Sequence, residues 1–237
     1  MKNASFCYGK MGFVVLTACL VAALLVFSST SATASAKEAA SAQETVDSAA
    51  ATVANFTADP DMGWFRDNVK NAKGVLIVPS LVKAGFVFGG SGGTGVLLGR
   101  NEKSGRWSYP AFFTMGSATF GFAAGVEKSE VILMIMTNKG MDSMLSTSFK
   151  LGGDVSVAVG PVGAGAKAQT ADVIAFSRAK GIYGGINLEG AVISTRDALN
   201  SAYYGKPVRT VDIVVKHSVQ NKKADGLVAE VKKVARK

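Results

Sequence analysis

Along this chain the hydrophobic positions change period twice. From Glu38 to Thr57, Val46, Ala49, Ala50, Val53 and Phe56 recur at helical spacing and predict an amphipathic helix. Asp59-Pro60 reads as an N-cap followed by proline at the first helical position. A second helix is predicted from there to Ala72, with Met62, Phe65, Val69 and Ala72 on one face and Gly74 as its stop. Trp64, Arg66, Lys70 and Lys73 lie off that stripe or at its edge.

The pattern then turns to strands. Val75 to Val78 is a short apolar run stopped by Pro79. Ala84 to Phe88 and Gly95 to Arg100 flank a glycine-rich stretch that reads as a flexible strand-to-strand turn. Asn101 to Gly105 is a polar turn, Trp107 opens another strand, and Ala118 to Val126 is small and apolar. Val131 to Met136 is an unbroken apolar run, the pattern of a strand buried on both faces. Met141 to Ser148 reads as a short helix. Val155, Val157 and Val159 alternate with Ser156 and Ala158, as a one-sided strand does. Further strands are expected at Asp172 to Ser177 and Gly184 to Ile193, and a short helix at Thr195 to Tyr203. Val208 to Val215 fits helix or strand. Asp225 caps a last helix, with Leu227, Val228, Val231 and Val234 on one side and Lys232, Lys233, Arg236 and Lys237 at the end. The class predicted is α+β: N-terminal helices, a Gly-rich antiparallel or barrel-like β core and a C-terminal helix.

Glycine supports the β core. Residues 63–205 hold 24 of the 27 glycines, a density that helices do not tolerate at about 1 kcal/mol per interior position. Charge is segregated too. Residues 37–205 carry 15 basic and 14 acidic side chains, whereas residues 206–237 carry nine basic and three acidic. The formal net charge of +9 therefore sits mostly in a 32-residue tail. Such a tail either attracts an anionic surface through a salt-screened field or is a solvated helix face.

The first 36 residues have the order of an export signal. Lys2 and Lys10 precede an uncharged segment, Met11 to Phe27, and small residues come after it, with Ala32-Thr33-Ala34 and Ala34-Ser35-Ala36. Cleavage after Ala36 would start the mature chain at Lys37. A retained anchor is the alternative, at the short limit for a span. Leu16-Thr17-Ala18-Cys19 resembles a lipobox, but Leu20 to Phe27 after it is still apolar. The expected organisation is a signal peptide at 1–36, a domain at 37–205 and a basic helical tail at 206–237. The expected location is periplasmic or secreted, with association to a membrane.

Little catalytic chemistry is available. The chain has two cysteines, Cys7 and Cys19, and one histidine, His217, too few for a Cys/His zinc site or a disulfide-built fold. Gly90-Ser91-Gly92-Gly93-Thr94-Gly95 matches the dinucleotide pattern G-x-G-x-x-G, but the residues after it are strand-like and no acid occurs about twenty residues on. Gly89-Gly90-Ser91-Gly92-Gly93 matches G-x-S-x-G, which needs a strand-to-helix turn and a histidine, and Asp212 lies only five residues before His217. No G-K-[ST] comes after the glycines, so a P-loop is absent. Asp154 and Glu189 each sit beside glycine in apolar surroundings, where a structural bond to backbone N–H groups is the common fate of a carboxylate. His217 reads as a residue of the tail surface. No cofactor is expected, and no nucleic acid, since the tail lacks aromatic residues interleaved with its cations.

Ala72-Lys73-Gly74, Lys83-Ala84-Gly85-Phe86, the glycine stretch to Arg100 and Trp107-Ser108-x-Pro110 occur in the order that resembles the SYLF domain family. The likeness continues through Gly116, Gly121, Gly125, the run Val131 to Met136, Leu151-Gly152-Gly153-Asp154, Val157 to Gly163, Phe176 to Gly185, Ile186 to Gly190 and Tyr203-Tyr204-Gly205. It covers about residues 40–205 and fits the tail less clearly.

The resemblance implies a non-catalytic lipid-binding module. Eukaryotic members look like membrane adaptors that bind phosphoinositides, and some fungal members bind and bundle actin. Lipid binding in the family is attributed mainly to an amphipathic N-terminal helix ahead of the Ala-Lys-Gly block. By position, the implied lipid contacts here are Phe65, Arg66, Lys70 and Lys73, with Lys83 beside them. Asp61 and Asp67 make that segment less basic than a lipid-binding face would be. On periodicity alone the Phe65 stripe is either core or membrane-inserting. An exported protein would not meet actin, so actin binding is not expected. Anionic phospholipid is the expected partner, and an envelope protein bound without lipid is the alternative.

Overall fold

The computed structural model describes residues 36–85, 88–120, 125–161, 170–179, 182–183 and 188–236. Residues 1–35 of the signal segment, the lipobox among them, and residues 184–187 of an expected strand lie outside the described residues. The first predicted helix, α1, spans residues 36–58. Its stripe Ala42, Val46, Ala49, Val53 and Phe56 is fully buried. Asp59 ends it and caps the next turn, its carboxylate accepting the Asp61 N–H at 3.0 Å. The expected second helix is split into a 3-10 turn at Pro60–Met62, helix α2 at Gly63–Asn68 and a 3-10 turn at Val69–Asn71. Its apolar positions nevertheless line up as predicted, because Met62, Phe65, Val69 and Ala72 are all buried.

One sheet comes next, of β1 (Gly74–Gly85), β2 (Phe88–Gly99), β3 (Ala111–Phe120), β4 (Gly125–Ile135), β5 (Ser148–Lys150), β6 (Val157–Val159), β7 (Val173–Ala179), β8 (Ile182–Tyr183) and β9 (Val192–Thr195). The order across it is β5-β9-β3-β2-β1-β4-β7-β6, with β8 also on β7. The described pairs are antiparallel except β6–β7. The path does not close on itself among the described residues; the sheet is mainly antiparallel and curls as a half-barrel, as the expected antiparallel or barrel-like core has it.

The period of two divides the strand side chains between two cores. Val75, Ile77, Val96, Leu98, Phe112, Ile132, Met134, Ile174 and Phe176 pack with α1 and α2 on one face. Leu76, Val78, Leu97, Phe113, Met115, Val131, Leu133 and Ile135 pack on the other. Val131 to Ile135 is thus buried on both faces, as its unbroken pattern predicts. Each such side chain contributes about 1.5–3 kcal/mol of burial. The second core is covered by helices α3 (Asn138–Met144) and α5 (Thr210–Val214). The segment at Val208 to Val215, open to either structure in sequence, is therefore helical at its centre.

The glycine stretch corrects an expectation: it is not a turn but the body of β2. The cause lies in β1, which carries Pro79 and shifts register against β4 between Val78 and Leu81. Proline is tolerated at such an irregularity. The bulged backbone presses onto β2, so a Cβ at Gly93 would stand 2.5 Å from Ser80 O and one at Gly95 would stand 2.6 Å from Ile77 O. Only glycine fits beneath the bulge.

The tail packs against the sheet. Helix α4 (Asp197–Tyr204) precedes it, and α6 (Asp225–Val234) ends it. Leu227, Val231 and Val234 of α6 join the first core with α1, and Ile213 and Val214 of α5 join the second. The segment from 206 onward is helical at α5 and α6, and its apolar side chains enter the two cores. Asp225 stands as the first residue of α6 and accepts the Tyr109 hydroxyl at 2.7 Å. That bond holds the Tyr109 phenol above its ordinary pKa. No described helix is long and apolar enough to cross a membrane.

Candidate functional site

The five residues named as lipid contacts do not form one site. Phe65 is 1% exposed. Its ring meets Phe56 at 6.1 Å and Phe176 at 5.6 Å, both edge-on. The open choice between core and insertion therefore falls to core in this structure, because the α2 stripe faces the sheet. Arg66 is half-buried and donates to the carbonyls of Asp59, Thr57 (3.3 Å) and Pro60 (3.3 Å). It thus satisfies backbone acceptors where α1 ends, the favourable place for a cation on a helix. Lys70 is exposed. Lys73 pairs with Glu102. Lys83 is exposed at the far end of β1, ten residues from Lys73 and roughly 30 Å along an extended strand.

The most developed polar cluster is one that sequence reasoning did not single out. A groove of about 700 Å³ runs between α1 and the outer part of β4, lined by Ser48, Ala51, Thr52, Asn55, Pro79, Val126, Lys128, Ser129, Glu130 and Arg178. Glu130 accepts the Thr52 hydroxyl at 2.8 Å and the Asn55 amide at 3.0 Å. Arg178 faces Glu130 across the β4–β7 ladder, 3.5 Å from it, and lies 3.3 Å from the Asp59 carboxylate. The cluster ties the C-terminal half of α1 to two strands. Its one sequence signal is a charge placed on the same face as a buried apolar run: Glu130 precedes Val131 to Ile135, and Arg178 comes after Val173 to Phe176.

The residues weighed for catalysis are placed otherwise. Ser91 lies within β2 in register with Ser117, the two hydroxyls 2.8 Å apart. It is not on a strand-to-helix turn, so neither the nucleophile elbow nor the dinucleotide loop is formed. Asp212 accepts Lys216 at 2.8 Å and reaches Arg209 at 3.5 Å. His217 adopts a left-handed φ of 51°, and burial, then the nearby Arg106, pushes its pKa down. Asp154 accepts the Lys150 N–H at 2.7 Å, the structural role expected of it. Asp172 joins three elements. Its carboxylate accepts the Thr137 hydroxyl (2.7 Å) and the N–H and hydroxyl of Ser156 (2.9 and 2.8 Å). Thr137 in turn caps α3. These bonds, the Thr137 hydroxyl foremost, hold Asp172 down at about 2. Among the described residues no group of three metal-ligating side chains is assembled.

The described cations of the tail are all exposed: Lys206, Arg209, Lys216, Lys222, Lys223, Lys232, Lys233 and Arg236. Arg209 and Lys216 share Asp212, and Lys233 reaches Glu230 at 3.7 Å. The tail thus turns its apolar side chains into the cores and its positive charge to solvent.

Comparison with known proteins gives this arrangement a family. The family model Ysc84, described as "Las17-binding protein actin regulator", matches residues 116–234, half of the chain. The match reaches through α6, consistent with a tail that is built into the domain. LAS seventeen-binding protein 3 of Saccharomyces cerevisiae is 36% identical over 147 residues, 59% of this chain and 32% of that protein. Protein YSC84 of the same yeast is 35% identical over 145 residues, 58% of this chain and 31% of that protein. The human SH3 domain-containing YSC84-like protein 1 is 30% identical over 152 residues, 62% of this chain and 44% of that protein. The chain spans about a third of the yeast relatives and under half of the human one. Their names are those of binding or regulatory proteins. With the family model covering half of it, the chain belongs to the Ysc84 (SYLF) family.

Proposed function

We propose that this chain is a non-catalytic module that binds peripherally to anionic phospholipid in the bacterial cell envelope. One observation carries the proposal: the positive excess of the chain lies in residues 206–237, and the fold presents every described cation of that segment to solvent. Near an anionic membrane surface each Lys or Arg adds about 1 kcal/mol. The stripes of α1, α2 and α6 are buried, so attraction in this conformation is electrostatic and screened by salt. The export-type N-terminus supports the envelope location. Vesicle co-sedimentation at low and high salt tests the proposal, with salt-sensitive binding to anionic but not zwitterionic vesicles as its expected result.

A second reading is favoured by the relatives' printed names, which refer to binding of Las17 and to SH3 domains. On it, the same surface docks an envelope protein without lipid. Absence of vesicle binding together with a stable protein partner would favour it. Actin is not proposed as a partner.

A further inference from the structure

Residues 37–205 are nearly balanced by count, 15 cations to 14 acids, but the fold does not spread those charges evenly. The hairpin that joins β2 to β3 carries Arg100, Lys103 and Arg106 within seven residues, and Glu102 is its one acid. Glu102 is paired with Lys73. Among the described residues no carboxylate pairs with the other three cations. Lys103 and Arg106 are exposed. The Arg100 guanidinium lies along the hairpin, 3.7 Å from where a Cβ on Gly105 would stand.

The backbone of this hairpin is fixed by its own bonds. Asn101 donates its N–H to the Arg106 carbonyl (2.8 Å), and its carbonyl accepts the Gly105 N–H (2.7 Å). The Asn101 side-chain oxygen accepts the N–H groups of Lys103 and Ser104 at 3.1 and 2.9 Å. A cation on so constrained a turn loses little backbone freedom when it meets an anion.

The tail comes to this same hairpin. Val219 belongs to the second core and Ala224 to the first, so the chain changes faces of the sheet within residues 220–223. Contacts on either side place that crossing beside the hairpin. Before it, the Val214 carbonyl oxygen lies 2.7 Å from the position of a Cβ on Gly99. Burial, and after it the Arg106 charge, lowers the pKa of His217, which sets that guanidinium next to the tail. Past the crossing, Asp225 accepts the Tyr109 hydroxyl at 2.7 Å. Lys222 and Lys223 are on the crossing itself, both exposed. The tail acids beside the hairpin are engaged, Asp212 by Arg209 and Lys216 and Asp225 by Tyr109.

We propose that the hairpin and the tail crossing form one anion-recognising surface, in which Lys103 and Arg106 meet the phosphates of an anionic bilayer together with Lys222 and Lys223. This surface rests on the lipid-binding reading and deepens it. It adds cations that the charge count of the tail omits, and it sets which end of the sheet faces the membrane. Cations supplied by two separate elements are met together by a continuous layer of phosphates, which requires no matching pattern of acids. Lys128 and Lys150 then stand away from the bilayer. They end one row of register partners that runs through Val82, Gly92, Gly116 and Val192. Gly92 is seven positions along β2 from Gly99, roughly 23 Å. That exceeds two Debye lengths at physiological salt, about 8 Å each, so the charges of that row are screened from the lipid.

The test uses the full chain and phosphatidylcholine vesicles with and without phosphatidylglycerol, at about 0.15 M salt. Lys103→Gln with Arg106→Gln is expected to lower affinity for the anionic vesicles about thirtyfold. Lys128→Gln with Lys150→Gln removes the same charge from the distant row and is expected to change affinity by less than about twofold. Both pairs should keep the thermal midpoint of the parent chain. Lys103→Gln alone, expected to lower affinity about fivefold, decides the matter if the hairpin pair disturbs the fold. Equal losses from the two pairs would mean that the membrane reads overall charge. No loss from the hairpin pair would leave the tail as the sole contact. Either result overturns the composite surface and leaves lipid binding standing. A parent chain that does not bind anionic vesicles overturns the lipid reading itself. Binding of polyglutamate that Lys103→Gln with Arg106→Gln abolishes would then give the same cations to an acidic protein.

Discussion

Arg178 stands directly opposite Glu130 in the β4–β7 ladder, and its guanidinium also lies 3.3 Å from the Asp59 carboxylate where α1 ends. One half-buried cation thus serves two carboxylates from different elements. Arg178→Ala leaves those carboxylates facing each other, at an expected cost of about 2–3 kcal/mol. Glu130→Gln keeps an oxygen for Thr52 and Asn55 and is expected to cost about 1 kcal/mol. Urea unfolding midpoints rank the two. The opposite ranking would mean that Arg178 does not hold α1 to the sheet.

Gly95 and Gly92 lie three residues apart in β2 but meet different surroundings. A Cβ at Gly95 would sit 2.6 Å from Ile77 O and 2.8 Å from a Val78 methyl, whereas one at Gly92 meets nothing within 4 Å. Gly95→Ala is expected to destabilise by about 2–3 kcal/mol through overpacking, and Gly92→Ala to change stability by less than about 1 kcal/mol, toward gain. Thermal denaturation of both variants checks the β1 bulge directly.

Asp172 predicts an acid limb of stability. Its folded pKa of about 2 lies below the ordinary 3.8, so the carboxylate is the form the fold favours. Its contribution is complete above about pH 4 and is lost as pH falls from there through about 2. Asp172→Asn should lower stability at neutral pH by about 1–2 kcal/mol and flatten the profile between pH 4 and 2. A profile there as steep as that of the parent would contradict this assignment.

Phe65 and Lys70 separate packing from surface charge. Phe65→Ala empties a site between Phe56 and Phe176 and is expected to cost about 3–5 kcal/mol, while folded chains keep their affinity for vesicles. Lys70→Glu should leave stability within about 0.5 kcal/mol. Selective loss of vesicle binding in folded Phe65→Ala would place that ring at the membrane after all.

The sequence was legible where local pattern decides the structure. Val131 to Met136 reads as a strand buried on both faces, which β4 is through Ile135, and the spacing of Leu227, Val231 and Val234 marks the helix that joins the first core. It was silent where a distant element decides. The glycines of β2 look like a turn until the bulge at Pro79 is seen to press on Gly93 and Gly95. The stripe of Phe65 has the same period whether it faces a sheet or a lipid, and only the aromatic contact with Phe176, more than a hundred residues on, distinguishes them. Glu130 and Arg178 are forty-eight positions apart, and no spacing rule pairs them. Lys83, chosen by position alone, is exposed toward the far end of β1 and stands opposite Glu127 of β4, a neighbour that no spacing rule supplies.

Co-sedimentation of the chain with zwitterionic and anionic vesicles, each at low and high salt, tests the central claim most directly. The account predicts binding to anionic vesicles alone, weakened by salt and by replacing the tail cations Lys222, Lys223, Lys232 and Lys233. Equal binding to both vesicle types, or no binding to either, would contradict it.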